Sequence, residues 1–358
     1  MKILLTGGGT MGSATPLLAM IDYWRDKNKK NEYLWIGTKN GIEKIAVKKE
    51  NIKFNAIASG KLRRYFSWQN FIDPIFILIG FFQSFFIIRE FKPDAILSAG
   101  SFVSVPVIFA GWLLKIPILI HQMDIRPTLS NKITAMFAAK ITVGFKKSLK
   151  DYPTRKTVWT GNPIRQSIQA KNQKLKVENF FNLRNDIPVV LIVGGGTGAM
   201  AINKLILEAA NELTKFCQII HLTGKNRSAS LSAPIENYHF FEFLNAEQMA
   251  FAYQLVDIVI SRCGIGTLSE LSFLKKPSVL IPIPNSHQED NAELFKNAQA
   301  AIILDQNKIT AKILAENIKK LLLDNRLKKQ LSANIYKLTN PDATEKIGEL
   351  IKKLGLII

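Results

Sequence analysis

Cysteine is nearly absent from this 358-residue chain. Cys217 and Cys263 are its only two, so a disulfide framework is excluded and a reducing cytoplasm fits. Four scattered histidines give no zinc-ligand spacing with them. No signal-like apolar segment precedes the first strand pattern, Lys2-Ile3-Leu4-Leu5-Thr6. Low-complexity runs and short-period repeats are missing. There is no Gly-x-x-x-x-Gly-Lys-Ser/Thr loop, which disfavours a P-loop NTPase. Acidic residues are also short: 28 Asp and Glu stand against 48 Lys and Arg, a net charge of +20. That excess suits nucleic acid, an anionic membrane surface or polyanionic substrates, or else a solvated lysine-rich surface. No recognition helix or RNP-like aromatic motif supports nucleic acid, so none is expected as a partner.

What is present describes a folded enzyme-sized chain. Hydrophobic residues make up 47% and charged residues 21%, and the length exceeds one typical core, so two domains are expected. Strand patterns fall at 2–6, 33–37, 53–58, 95–98, 117–120, 140–144 and 156–159. Helical patterns alternate with them at 15–26, 41–49, 75–91, 104–114 and 127–139. The alternation restarts with strands at 189–193, 217–222, 239–243, 257–260, 277–281 and 301–303. Helices intervene at 199–214, 246–255, 267–274, 288–299 and 310–323, and 326–354 reads as two more. This predicts an α/β chain with parallel sheets covered on both faces. The expected domains are 1–160, a connection over 161–187, a second domain over 188–340, and a closing helix over 341–358 that is free to return to the first.

Gly-Gly-Gly-Thr occurs twice, at Gly7–Thr10 and Gly194–Thr197, each time after an apolar run and before a helical pattern. A strand that breaks into glycines and opens a helix offers backbone N–H groups at the helix's positive end, which suits a phosphate. Gly7-x-Gly9-x-x-Gly12 matches a dinucleotide fingerprint, and Gly194-x-Gly196-x-x-Ala199 matches its looser form. A nicotinamide enzyme also wants an acidic residue ending the second strand. Trp35-Ile36-Gly37-Thr38 and His221-Leu222-Thr223-Gly224-Lys225 lack one, which disfavours a dehydrogenase. A third turn, Ser261-Arg262-Cys263-Gly264-Ile265-Gly266-Thr267, opens a helix bearing Glu270. Helix start plus carboxylate suits a nucleoside diphosphate with its ribose, or ordinary capping. His287-Gln288-Glu289-Asp290-Asn291 opens the next helix and suits sugar hydroxyls, with capping again the plainer account. Arg165 stands ready to neutralise a diphosphate or to pair with a surface carboxylate.

Pro74 to Ile88 is an apolar run of about 15 residues, short of the roughly 20 needed to cross a bilayer. Lys61-Leu62-Arg63-Arg64-Tyr65-Phe66-Ser67-Trp68 precedes it with cations and aromatics. Together they suit an anionic membrane interface, against the alternative of a buried core helix.

These segments in order resemble the GT-B-fold glycosyltransferases. Within that fold they resemble the peptidoglycan transferases that add N-acetylglucosamine to undecaprenyl-diphosphoryl-N-acetylmuramoyl-pentapeptide. The resemblance covers nearly the whole chain. It is carried by the glycine loop ending in Pro16, Gly161-Asn162-Pro163-Ile164-Arg165, Ser261–Gly264 continuing to Ser269-Glu270, His287-Gln288-x-x-Asn291-Ala292 and Asn340-Pro341-Asp342-Ala343. It implies two doubly wound Rossmann-like domains facing across a cleft. UDP-N-acetylglucosamine is the implied donor, a polyprenyl-diphosphate lipid the implied acceptor, and no cofactor or metal is expected. It implies a peripheral position on the cytoplasmic face of the cell membrane.

The implied donor contacts are Thr10, Met11, Gly12, Asp124, Arg165, Gly196, Thr197, the backbone of Leu244, Ile265, Gly266, Thr267, Leu268, Ser269, Glu270, His287, Gln288 and Asn291. Gly9, Ser101, Phe102 and Ser104 face the acceptor diphosphate. The family's first loop usually reads Gly-Gly-Thr-Gly-Gly-His, with that His a favoured base; here Ser13 stands in its place. A usual His-Glu-Gln-Asn segment reads His121-Gln122-Met123-Asp124. Ser13 and Asp124 are therefore the candidate catalytic residues, with Asp124 expected to supply the missing carboxylate. The alternatives are that Asp124 only orients a donor hydroxyl, that another lipid is the acceptor, or that the chain binds without catalysis.

Overall fold

The structure, a computed structural model, describes residues 1–27, 30–60, 69–169, 180–194, 199–224 and 234–355. Gly196, Thr197 and the Lys61–Trp68 segment lie outside the described residues. The chain divides into two compact units, Met1–Arg165 with the segment from Asn340 onward, and Gln166–Thr339.

Unit 1 runs β1 (Lys2–Thr6), α1 (Met11–Lys27), β2 (Glu32–Thr38), α2 (Glu43–Lys49), β3 (Lys53–Ile57), α3 (Gln69–Phe91), β4 (Ala95–Ser98), α4 (Ser104–Leu113), β5 (Ile118–Gln122), α5 (Leu129–Thr134), β6 (Lys140–Val143) and β7 (Thr157–Trp159). Its seven strands pair in the order β3-β2-β1-β4-β5-β6-β7, all parallel. The order jumps from β1 to β4, so the chain switches sheet direction there. Such a switch point leaves a crevice at the carboxyl ends of the two strands.

Unit 2 begins with a short helix α6 (Gln166–Gln169), inside the stretch read above as connection. It continues β8 (Val189–Val193), α7 (Met200–Leu213), β9 (Gln218–Leu222), β10 (Tyr238–Phe241), α8 (Ala246–Leu255), β11 (Ile258–Ser261), α9 (Ile265–Phe273), β12 (Ser278–Leu280), α10 (His287–Asn297), β13 (Ile302–Ile303), α11 (Ala311–Leu323) and α12 (Asn325–Tyr336). The parallel order is β10-β9-β8-β11-β12-β13, with the switch between β8 and β11.

The central strands are buried on both faces, and their sequences show it. Val189-Val190-Leu191-Ile192-Val193 is an unbroken apolar run, as a parallel strand covered on two sides requires. The helices covering them are one-sided. Leu314, Ala315, Ile318, Leu321 and Leu322 make the buried stripe of α11. The last helix, α13 (Ala343–Gly355), buries Ala343, Ile347, Ile351 and Leu354 at helical spacing and packs on α1 and β4 of unit 1.

Three helices differ most from the sequence expectation, and of these α5 ends at Thr134 where the pattern ran to 139. α1 starts at Met11, four residues earlier than read, and carries Pro16 within it. α3 has 23 residues and starts at Gln69, ahead of the helix read over 75–91. Asp73 does not end it, because that side chain is buried against the unit. Ile72–Phe91 reaches a mean hydropathy of 1.7 over a length sufficient to cross a bilayer, with 22% of that window buried. One side of α3 is committed, since Gly80, Ser84 and Ile88 are buried and the helix lies on α4. The other side exposes Ile72, Ile75, Phe76, Ile79, Phe82 and Phe86, and Trp112 and Leu113 at the end of α4 are exposed as well.

Candidate active site

The glycine loop between β1 and α1 sits at the unit 1 switch point. α1 and α4 both begin at this sheet edge, after β1 and β4, but only α1 has first-turn amides to offer: in α4 the Ser104 and Val105 amides donate to the Ser101 and Phe102 carbonyls, and the third residue is Pro106. Helix starts of this kind attract anions. Thr10 and Gly12 are exposed, and Met11 is half-buried. Gly9 is less free than its sequence implied, because its N–H donates to Glu43 Oε2 at 3.0 Å. The Phe102 ring covers it, and a Cβ on Gly9 would stand 2.8 Å from that ring. Ser13 is buried, and its hydroxyl donates to the carbonyls of Gly8 at 3.2 Å and Thr10 at 3.4 Å.

After β4 the chain turns sharply through Gly100 and Ser101, whose φ of 94° lies in the left-handed region. Ser101 N–H donates to Ser130 Oγ at 3.2 Å, and the Ser104 hydroxyl donates back to the Ser101 carbonyl at 2.6 Å. Among the described residues the buried Ser101 hydroxyl and Asn131 Oδ1 have no hydrogen-bond partner.

Asp124 follows β5 in a half-buried bend. Gln122 shapes that bend: its amide nitrogen donates to the carbonyls of Asp124 and Arg126, both at 2.9 Å. Its oxygen accepts from Asn131 at 2.6 Å and from the Tyr152 hydroxyl at 3.1 Å. Gln122 is thus a buried brace under Asp124, a role the sequence did not reveal. His121 is likewise internal. Its Nε2 donates to Asn162 Oδ1 at 3.0 Å, leaving Nδ1 to accept from the Thr142 hydroxyl at 2.9 Å. Arg165 is half-buried, and its charge reaches Asp22.

In unit 2 the turn after β11 opens α9. Among the described residues, a Cβ built on Gly264 or Gly266 meets no atom within 4 Å beyond its chain neighbours and its own helix, so their packing does not require glycine at either position. Among the described residues the space beside these two glycines is open. Ile265 and Leu268 are buried, Thr267 is half-buried, and Ser269 bonds back to the Ile265 carbonyl at 2.8 Å. Glu270 accepts the Tyr253 hydroxyl at 3.0 Å, which fixes its carboxylate one turn into the helix.

The α10 start braces the same turn. Gln288 Oε1 accepts the amides of Cys263 and Ile283, each at 3.2 Å, and Asn291 donates to the Cys263 carbonyl at 2.9 Å. The Gln288 oxygen and the Asn291 amide group are therefore spent inside the protein. His287 is exposed. Burial pushes the Cys263 thiol up to about 12, so no thiolate nucleophile sits in this turn. Arg262 is buried and ties the turn to the carbonyls of Ile281 and Pro282 and to Gln306. Leu244 is buried, while the neighbouring Phe243 is 77% exposed. Glu43, Asn131, Arg262 and Phe243 were missed in the sequence, since only tertiary contacts or exposure single them out.

Profiles of the glycosyltransferase family 28 N-terminal and C-terminal domains match residues 3–143 and 189–347. A Clostridium kluyveri protein is 38% identical over 358 residues, spanning 98% of this chain and 99% of that one. The chain belongs to glycosyltransferase family 28. The Clostridium relative is named UDP-N-acetylglucosamine--N-acetylmuramyl-(pentapeptide) pyrophosphoryl-undecaprenol N-acetylglucosamine transferase. A Bacillus cereus relative of the same name, numbered 2, is 40% identical over 332 residues, 92% of this chain and 93% of its own. Among solved structures, Acinetobacter baumannii MurG aligns with a TM-score of 0.75 at 25% identity, covering 98% of this family 28 chain and 99% of that chain. A UDP-GlcNAc 2-epimerase from Neisseria meningitidis shares the fold at 17% identity, with a TM-score of 0.71 over 99% and 100%.

Each unit of this family 28 chain also buries a histidine. His221 lies between the Tyr238 hydroxyl and Asn203 Oδ1. Burial lowers both His121 and His221 to about 4. Each ionises near 6.5 when unfolded, so the unfolded chain binds more protons between pH 6.5 and 4, and stability falls as pH falls through that window. The two together outweigh Asp22, which burial and then the Glu50 charge raise to about 6 and which acts in the opposite sense. Thermal melts at pH 7.0, 5.5 and 4.5 are expected to show this decline, shallower in His221→Gln. A flat profile would contradict the burial of both rings.

Proposed function

We propose that the chain transfers N-acetylglucosamine from UDP-N-acetylglucosamine, with inversion, to undecaprenyl-diphospho-N-acetylmuramoyl-pentapeptide at the cytoplasmic face of the cell membrane. The observation that carries the donor half is the space, open among the described residues, beside Gly264 and Gly266, with a fixed carboxylate further into α9. A diphosphate approaches the helix-start amides through Gly264 and Gly266, and Glu270 takes the ribose hydroxyls one turn further in. Leu244 offers its backbone to the uracil, and the exposed Phe243 ring beside it offers a flat apolar surface. Within unit 2, His287 and the Gln288 amide nitrogen complete the donor set.

The acceptor diphosphate is assigned to the α1 helix start in unit 1, with Ser101, Phe102 and Ser104 beside it. Asp124 takes the proton of the attacking hydroxyl as the UDP oxygen leaves. Helix-start amides and Arg165 stabilise the departing charge, with no metal invoked. The names of the relatives support this substrate pair. UDP and UDP-N-acetylglucosamine are expected to raise Tm in a concentration-dependent way, and ADP is not. Equal shifts from ADP would count against a uridine donor.

The uncovered side of α3 with the end of α4 is the membrane-facing surface of this reading. Ile75 and Phe82 each contribute ~2 kcal/mol on entering an apolar phase. Ile75→Glu with Phe82→Glu is expected to lower partitioning onto phosphatidylglycerol vesicles by about 100-fold or more, read by flotation. Unchanged flotation would remove this surface from the account.

A further inference from the structure

The peptide unit joining Gly8 to Gly9 is held at both ends. Its N–H donates to Glu43 Oε2 at 3.0 Å, and its carbonyl accepts the Ser13 hydroxyl at 3.2 Å. Glu43 is fully buried at the start of α2. Its other oxygen accepts the Thr38 amide at 2.9 Å and the Thr38 hydroxyl at 2.5 Å. A carboxylate this far from water needs several donors, and these three supply them. Glycines make room for it. A Cβ on Gly8 would stand 2.3 Å from Oε1, and one on Gly41 would stand 1.9 Å from Oε2.

The first glycine loop therefore already holds an anion, and that anion belongs to the protein. An amide committed to Glu43 is not available to a substrate phosphate. What remains for a diphosphate is the next amides along, Thr10 and the first turn of α1, whose direction depends on the plane of the Gly8–Gly9 peptide.

We infer that Glu43 and Ser13 are positioning residues that clamp the Gly8–Gly9 peptide and so aim the α1 helix start at the acceptor's diphosphate. The choice of ligand rests on the proposed transfer reaction, while the clamp rests on the geometry alone. Ser13 then donates its proton inward to the loop and is not the group that accepts the proton of the attacking hydroxyl.

Glu43→Gln keeps the shape of the side chain but sets an N–H2 group against either the Gly9 or the Thr38 donors, so one end of the clamp opens. Ser13→Ala opens the other. In transfer assays, E43Q is expected to lower kcat/KM for the lipid acceptor about 10–100-fold with the donor KM within about twofold; S13A lowers it about 3–10-fold. The double variant loses less than the product, because both residues hold one peptide. S13A keeps the wild-type midpoint of the kcat–pH profile. A shifted midpoint would return Ser13 to the role of base and overturn the inference, as would an equal rise in donor and acceptor KM in E43Q.

Hydrogen–deuterium exchange of the peptide spanning residues 7–12 reads the clamp without turnover. Faster exchange in E43Q at unchanged global Tm is expected, and wild-type exchange would refute the clamp. If the wild-type protein transfers no sugar, the proposed reaction fails while this exchange arm still decides whether the clamp exists.

Discussion

Replacing Asp124 with asparagine lowers kcat by about 10²–10⁴-fold, the range for losing a positioned general base, and leaves the donor KM within about threefold. The expectation follows from what the other candidate groups do. Ser13 directs its proton to backbone carbonyls. His121 is buried and held near pKa 4 between Thr142 and Asn162. Gln122 is not a carboxylate, and both ends of its amide are occupied. Asp124 remains, in a bend whose carbonyl is anchored by Gln122. Because Gln122 anchors the backbone rather than the carboxylate, the isosteric D124N variant keeps the bend. Steady-state kinetics decide the matter. Near wild-type kcat would remove Asp124 as base, and a raised donor KM at unchanged kcat would make it an orienting group for the donor sugar.

Gly266→Ala is expected to raise the Kd for UDP about 10–100-fold without lowering Tm. The two halves of that statement have separate causes. Among the described residues, no atom beyond its chain neighbours and its own helix turn lies within 4 Å of the added methyl, and alanine favours a helix over glycine by roughly 0.5–1 kcal/mol, so the fold is not harmed. The methyl instead occupies the space through which a diphosphate reaches the α9 amides. Calorimetric titration with UDP beside thermal melts reads both, and unchanged affinity would move the phosphate site away from α9. Gly8 behaves oppositely. Its Cβ would collide with the Glu43 carboxylate, so Gly8→Ala acts through the fold.

The two Gly-Gly-Gly-Thr copies look alike in sequence, and only the structure shows what the first one holds. Alternation of apolar strands and one-sided helices made the sheets legible, because parallel strands buried on both faces must be continuous apolar runs. Strands at 2–6, 95–98 and 189–193 coincide with β1, β4 and β8. The positions of the site loops followed, since loops after central strands open at a switch point. Three features were not legible, each for a tertiary reason. The carboxylate sought at the end of β2 arrives five residues later, from the first turn of α2, and turns inward to Gly9. Gln288 and Asn291 read as sugar contacts, yet their partners are the backbone atoms of Cys263, 25 and 28 residues away. The length of α3 was hidden because the apolar run begins only at Pro74, whereas the helix already includes the buried Asp73 before it.

The central claim is sugar transfer from a uridine donor to a lipid-linked muramoyl acceptor. The protein, UDP-N-acetylglucosamine labelled in the sugar, and undecaprenyl-diphospho-N-acetylmuramoyl-pentapeptide in phosphatidylglycerol vesicles are incubated together, and the lipid phase is separated. The account predicts label in the lipid phase, one UDP released per sugar transferred, and a β-configured disaccharide. Label that stays in the aqueous phase as an epimerised UDP-sugar, or that enters the lipid phase only with a different lipid acceptor, would contradict it.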